Sequence, residues 1–177
     1  AYETLEAASK LVEDSDIQSD IQRLMLTADD TEFEAHLGEI KSLVEAGNQL
    51  DNAELDFLEE VIEDAPLVSE LYVVLAQAYV NWEETDNALN TLLDGIKQSP
   101  NDPEIVDQLA QLLWDAEQFD LAFEYLNNAV AEHPNHVPLL ALTGQFLAEN
   151  DQREEARTYL LRAEAIAPMH PALRRAR

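Results

Sequence analysis

Apolar residues fall along this chain at three- and four-residue spacing, separated by short polar breaks. Leu75 and Tyr79, and again Leu109 and Leu113, stand four residues apart, on one face of a helix. Phe33, Leu37, Ile40 and Val44 form one stripe, and Leu55, Leu58 and Ile62 continue the next, with Gly47-Asn48 as the turn between them. Further upstream, Leu5, Ala8 and Val12 predict one helix, and Ile17, Ile21, Leu24 and Met25 another. In the second half the breaks are Trp82-Glu83-Glu84-Thr85-Asp86, Asp115-Ala116-Glu117-Gln118 and Asn150-Asp151-Gln152. Helix starts carry their own signals. Thr31-Glu32-Phe33-Glu34 reads as a capping box, Asp51-Asn52-Ala53-Glu54 as a cap, and Ser15 with Gln18 as a weaker capping box. Asp102 followed by Pro103 is a cap and first-turn pair. The pattern predicts ten helices joined by short turns.

A longer period lies over this one. Pro66, Pro100, Pro134 and Pro168 are each 34 residues apart, and a proline ends a helix. With that proline at position 32, cells begin at Ala1, Ala35, Ser69, Pro103 and Val137. The last three align without gaps. Position 7 holds Leu75, Leu109 and Thr143, and position 8 holds Ala76, Ala110 and Gly144. Position 20 holds Ala88, Ala122 and Ala156, position 24 holds Leu92, Leu126 and Leu160, and position 27 holds Gly95, Ala129 and Ala163. Small residues recur where two helix backbones must approach, and large ones where a helix meets its neighbour. In the second cell Ala53 reaches position 20 only with a one-residue slip.

These positions, with Tyr72 and Tyr79 at positions 4 and 11, resemble the tetratricopeptide repeat (TPR) family. The resemblance implies an all-α fold, a right-handed α-solenoid of antiparallel helix pairs. It is strongest over residues 66–170, as three repeats at 69–102, 103–136 and 137–170. Residues 1–65 are expected to be degenerate TPR-like helices or an N-terminal cap, and 171–177 a basic tail or truncated capping helix.

In that family the first helix of each pair lines a concave face with positions 2, 5, 9, 12 and 13. Position 9 here is Gln77, Gln111 and Gln145. Position 2 gives Glu70 and Glu104, position 5 Asp107, position 12 Trp114, and position 13 Asn81, Asp115 and Glu149. A row of amides suits a peptide backbone, Trp114 an apolar anchor, and the acids a basic partner. On this reading Trp114→Ala weakens binding and leaves the fold content unchanged. Equally, the glutamines can face solvent or bond to one another, and Trp114 can pack between neighbouring first helices. The family's carboxylate clamp needs Lys, Arg and Asn on this face. Val73, Asp107, Ala141 and the glutamines stand there instead.

Charge narrows the partner. Against 37 Asp and Glu stand 10 Lys and Arg, a net charge of -27. Nucleic acid and anionic membrane surfaces are poor partners for such a chain. No apolar run reaches the length of a membrane span, and no signal peptide is visible, so a cytoplasmic location is expected. The chain opens without Met, which admits an excised piece of a larger protein. There is no Cys, which removes thiolate chemistry and Cys-based zinc sites. His133-Pro134-Asn135-His136 resembles a two-ligand metal site, but His136 and His170 share position 34, so the repeat accounts for them. No phosphate loop or catalytic constellation stands out, so no enzyme activity, cofactor or metal is expected.

The bases are unevenly placed. Residues 151–177 hold six of them, against four in residues 1–150. Leu160 and Ile166 in the last helix are expected to be partly uncovered beside Arg174, Arg175 and Arg177, which favours self-association through the C-terminal repeat. The best reading is a non-catalytic protein- or peptide-binding scaffold with an acidic, Gln-lined groove and a basic or amide-rich partner. The alternatives are a regulatory or targeting domain of a larger enzyme, and a self-assembling structural array.

Overall fold

The structure, a computed structural model, describes residues 2–12, 14–30 and 32–175. Among them are eleven helices: α1 Tyr2–Ser9, α2 Ser15–Asp29, α3 Phe33–Glu45, α4 Asn52–Asp64, α5 Ser69–Asn81, α6 Thr85–Gln98, α7 Pro103–Asp115, α8 Phe119–Glu132, α9 Val137–Glu149, α10 Arg153–Ile166 and α11 Ala172–Arg175. No strand occurs among the described residues. The chain forms two compact units, Ala1–Pro100 and Asn101–Arg177.

The 34-residue register is visible in burial. Ala76, Ala88, Ala110, Ala122 and Ala156 are all buried, as are Leu92 and Leu126. Ala129 and Ala163 are fully enclosed. At Gly144 the reason for a small residue is direct. A Cβ added there meets Leu160 Cγ at 2.7 Å, Leu160 Cδ2 at 2.8 Å and the Ala156 carbonyl at 3.2 Å. Positions 8, 20 and 24 of one repeat therefore meet where α9 crosses α10.

The turn inside each later pair is also repeated. It is three residues long, and its middle residue lies in the left-handed region: Glu83 at φ 62°, Glu117 at 58° and Asp151 at 58°. The next N–H then reaches back five residues: Glu84 to Tyr79 (2.9 Å), Gln118 to Leu113 (2.9 Å) and Gln152 to Leu147 (2.8 Å). This is the Schellman closure of a helix, normally built on Gly. A non-glycine residue there costs roughly 1–2 kcal/mol. Part of that is not recovered on substitution, because Gly also loosens the unfolded chain by about 0.4–1 kcal/mol. Glu117→Gly should therefore stabilise the protein by about 0.5–1 kcal/mol in urea denaturation. Asp151→Gly should give less, since a short polar side chain tolerates this region better. A fall in the midpoint for Glu117→Gly would contradict this account of the turn.

The first unit departs from the pattern, and the sequence shows why. α3 buries Phe33, Leu37, Ile40 and Val44, and α4 buries Leu58 and Val61, with no small residue among them. Their backbones stand apart, and α4 packs closely on α5 instead. The two helices meet through Phe57, whose ring lies 4.4 Å from His36 and 6.3 Å from Phe33. The loop between them, Ala46–Asp51, is twice the length of the later turns, and its Gly47 takes φ 77°. That loop is fastened to the end of α5. Asn81 Nδ2 donates to the Val44 and Asn48 carbonyls at 2.9 Å each, and Trp82 Nε1 donates to the Leu50 carbonyl at 3.1 Å. Leu50 itself is buried.

Among the helix starts, α2 departs from the sequence expectation. α2 is capped by Asp14, whose carboxylate accepts from the Asp16 and Ile17 amides, and not by Ser15; a carboxylate is the stronger acceptor at a helix start. Gln18 donates instead to the Val12 carbonyl. α4 has a full capping box, Asp51 with Glu54. Thr31 lies outside the described residues, and Glu32, at the cap of α3, makes no side-chain cap bond. At the other end the tail is not bare: α11 adds an eleventh helix of one turn, and its Leu173 is buried against α9 and α10.

Candidate functional site

The second unit holds an open cavity of about 290 Å³ lined by α7, α9 and α11. Its walls include Asp107, Gln111, Trp114 and Asp115 from α7, Ala141, Gln145, Phe146 and Glu149 from α9, and Ala172 from α11. Positions 5, 9, 12 and 13 of α7 lie on one helical face because three- and four-residue steps return to the same side. Positions 9 and 13 of α9 do the same.

Trp114 makes the cavity's apolar base. Its ring stacks on Phe146 with centroids 4.0 Å apart and planes 13° from parallel. Phe119 and Phe123 of α8 approach it edge-on at 4.6 and 5.6 Å. Trp114 thus packs between neighbouring first helices and also lines the open face. Around it the amides are oriented by carboxylates of their own helices. Gln111 Nε2 donates to Asp107 Oδ2 at 2.8 Å, and Gln145 Nε2 donates to Glu149 Oε1 at 2.9 Å. The glutamines bond along their helices and not to one another. Asp115 and Glu149 are exposed at the rim.

The remaining sequence-selected residues lie elsewhere. Glu104 sits in the first turn of α7, where its N–H donates to Asp102 Oδ1 at 2.9 Å. In the first unit, Gln77 Nε2 donates to Asn81 Oδ1 at 3.3 Å, while Asn81 is committed to the α3–α4 loop. Glu70 accepts from both Arg23 and Lys41, and Arg23 also forms a bidentate pair with Glu34 at 2.9 Å per bond. Burial pushes the Glu70 carboxyl up, but the hydrogen bonds and charges of Lys41 and Arg23 outweigh it and hold it below its ordinary 4.5. The Glu34 carboxyl is lowered chiefly by its bond to Arg23. Because these folded-state values are depressed, the network stabilises the unit above pH ~4.5 and its contribution is lost as pH falls below that. We expect the acid limb of the stability curve to be shallower in Glu70→Gln than in the parent, with a lower plateau at neutral pH. Parallel curves displaced by a constant would show that Glu70 does not titrate in this way.

The sequence reading missed Phe146, although it is the largest apolar residue of α9 and directly follows Gln145. It also missed α11 as a wall. Two of the four histidines serve the backbone: His136 Nδ1 accepts from the Leu139 amide at 3.4 Å, and His170 Nδ1 accepts from the Ala172 amide at 3.2 Å. Burial, with His133 nearby, lowers the His136 pKa, which suits an acceptor. Among the described residues no group of three or more His, Asp or Glu is arranged to hold a metal ion. No helix among them is long and apolar enough to cross a membrane.

Family models described as tetratricopeptide repeat match residues 69–102 and 113–177, together more than half of the chain. No curated protein matches it by sequence. Solved structures share the fold. TTC0263, a thermophilic TPR protein of Thermus thermophilus, superposes with a TM-score of 0.68 at 18% identity, over 99% of this chain and 97% of its own. YrrB, a TPR protein with an unusual peptide-binding site, gives 0.58 at 20% identity over 99% and 87%. MamA gives 0.57 at 19% over 93% and 89%.

Proposed function

Because this chain belongs to the tetratricopeptide repeat superfamily, we propose that it is a non-catalytic module that binds a protein or peptide segment. The site is the acidic, Gln-bearing face of the second unit, and the partner is basic or amide-rich. The observation that carries this reading is the cavity at Trp114 and Phe146, with a stacked aromatic base and oriented amides and carboxylates around it. That layout is suited to recognition: an apolar anchor point, polar groups that fix orientation, and exposed carboxylates at the rim to draw a partner in. The peptide-binding site of YrrB, a protein of the same fold, supports it by analogy.

The test is selection of peptides from a random displayed library on the immobilised full chain. Asp115→Asn with Glu149→Gln, both at exposed positions, should weaken the selected peptides by about tenfold, a loss of roughly 1.4 kcal/mol. Peptides that bind parent and variant alike place recognition on another face.

A second reading, self-association through the last repeat, has its own observation. Leu161, Ile166 and Met169 are 52%, 43% and 81% exposed, and Arg157, Arg162 and Arg174 in the same stretch of chain are exposed as well. Arg177 and the side chain of Arg175, part of the same expectation, lie outside what the structure describes. Exposed apolar side chains and arginines at one end, on a chain of net charge -27, have a complement in a second copy. Sedimentation at low and high salt decides this: association that weakens with salt supports it, and a monomer at low salt and high concentration rules it out.

A further inference from the structure

We propose that the groove between α4 and α6 of the first unit receives the last repeat of a second copy, with Arg157 and Leu161 of α10 as the side chains that enter it. The inference rests on the self-association reading above and names the surface that receives it.

The groove holds about 470 Å³ and is lined by α4, α5 and α6. Its floor is apolar: Tyr72 and Leu75 are buried there, and Ile62 and Pro66 are half-buried. On its walls three acids, Glu59, Glu63 and Asp94, stand against one base, Lys97. Glu59 accepts from Tyr79 Oη at 2.6 Å, and Asp94 pairs with Lys97 at 2.6 Å. That pair is exposed at both ends, is worth little, and opens at little cost. Glu63 is exposed and has no hydrogen bond or ion pair among the described residues. An apolar floor with acids above it fits an apolar side chain that has a cation for a neighbour.

The last repeat presents that combination. Arg157 and Leu161 stand four residues apart on one side of α10, and both are exposed. Repeat packing does not call for an arginine there, since the two preceding repeats carry Leu89 and Phe123 at the same position. The exposed Ile166 and Met169 depart in the same way. They stand where the preceding repeats have Gln98 and Glu132, and Asn101 and Asn135.

Acids are common in this chain, so charge alone singles out no groove. The second unit shows what the equivalent place accepts. Pro134 and Arg162 stand two repeats after Pro66 and Asp94. Arg162 donates to the Pro134 carbonyl, so an arginine reaches from α10 to the turn after α8. In the first unit Asp94 holds that place, and the Pro66 carbonyl accepts from Tyr72 Oη at 3.1 Å. An arginine on α10 of a second copy supplies the base that position 26 lacks here.

Sedimentation of the full chain at low salt tests this, with Glu63→Lys plus Asp94→Lys as the groove variant and Arg157→Glu as the α10 variant. All three sites are exposed, so both variants should keep the parent's urea midpoint. Each variant alone should associate about tenfold or more weakly than the parent. Net charge predicts the reverse for the groove variant. Each exchange of an acid for lysine adds two charges, so the chain moves from -27 to -23 and its copies repel one another less. Mixed in equal amounts, the two variants should recover association to within about threefold of the parent, because each carries the charge that the other's altered face needs. A groove variant that associates like the parent, or a mixture no tighter than its components, overturns the proposal and leaves self-association through the last repeat standing. A parent that stays monomeric at low salt and high concentration overturns the self-association reading itself.

Discussion

Gly144→Leu should lower the stability of the second unit by about 3 kcal/mol, at the upper end for overpacking a close contact. The space for a Cβ at Gly144 is already taken by Leu160 and the Ala156 carbonyl. A backbone carbonyl cannot step aside, and α9 is the most buried helix of the unit, with Leu139, Leu140 and Ala141 enclosed around the site. Gly144→Ala sets two effects against each other. Alanine gains about 1 kcal/mol of helix propensity, and the half-buried Leu160 has some room to yield. Its net change should be small. Ala110→Leu, at the same position of the preceding repeat, should be damaging for the same reason. Glu117→Ala keeps a Cβ in the same left-handed backbone and should stay within about 0.5 kcal/mol of the parent. Unfolding followed by urea would rank these four, and a Gly144→Leu protein as stable as the parent would falsify the repeat register.

Trp114→Ala should cost about 2–4 kcal/mol of stability, because the indole is held on three sides by Phe146, Phe119 and Phe123. The sequence alone points to a change in binding with an unchanged fold. The structure makes Trp114 part of the packing between α7, α8 and α9 as well as of the open face. A double-mutant cycle with Phe146→Ala should return a coupling of about 0.5–1.5 kcal/mol, the usual worth of a stacked pair. Additive losses would mean that the stack contributes only its buried area. For the same reason the exposed Asp115 and Glu149 are the cleaner probes of binding.

The later repeats were legible because their signals are local and repeated. Ala88, Ala122 and Ala156 are small for a steric reason that any alignment at 34 residues exposes. The region before Pro66 was legible as helices but not as packing. The stripe of Phe33, Leu37, Ile40 and Val44 predicts a buried face. It does not reveal that four large residues keep α3 and α4 apart, or that a longer loop turns α4 towards α5. The candidate site was half legible. Of the residues chosen from the sequence, Gln111, Gln145, Asp115 and Glu149 come together at one cavity. Glu70 and Asn81 could not be sorted from them by sequence. Their partners, Arg23, Lys41 and the Val44 and Asn48 carbonyls, lie some 30 to 50 residues away along the chain.

Only two tryptophans occur in the sequence, and each belongs to a different unit. Trp82 has its indole N–H on the Leu50 carbonyl, at the loop that fastens α3 and α4 to α5. Trp114 lies on a phenylalanine ring, in contact with an open face. Their emission should therefore differ in colour and in access to a quencher such as iodide. In Trp82→Phe the remaining light reports on residues 101–175, and in Trp114→Phe on residues before 101. Melting the two variants side by side would show whether the halves lose structure at one temperature or two. The chain thus carries an intrinsic optical gauge for each half, and needs no attached dye to follow the two separately.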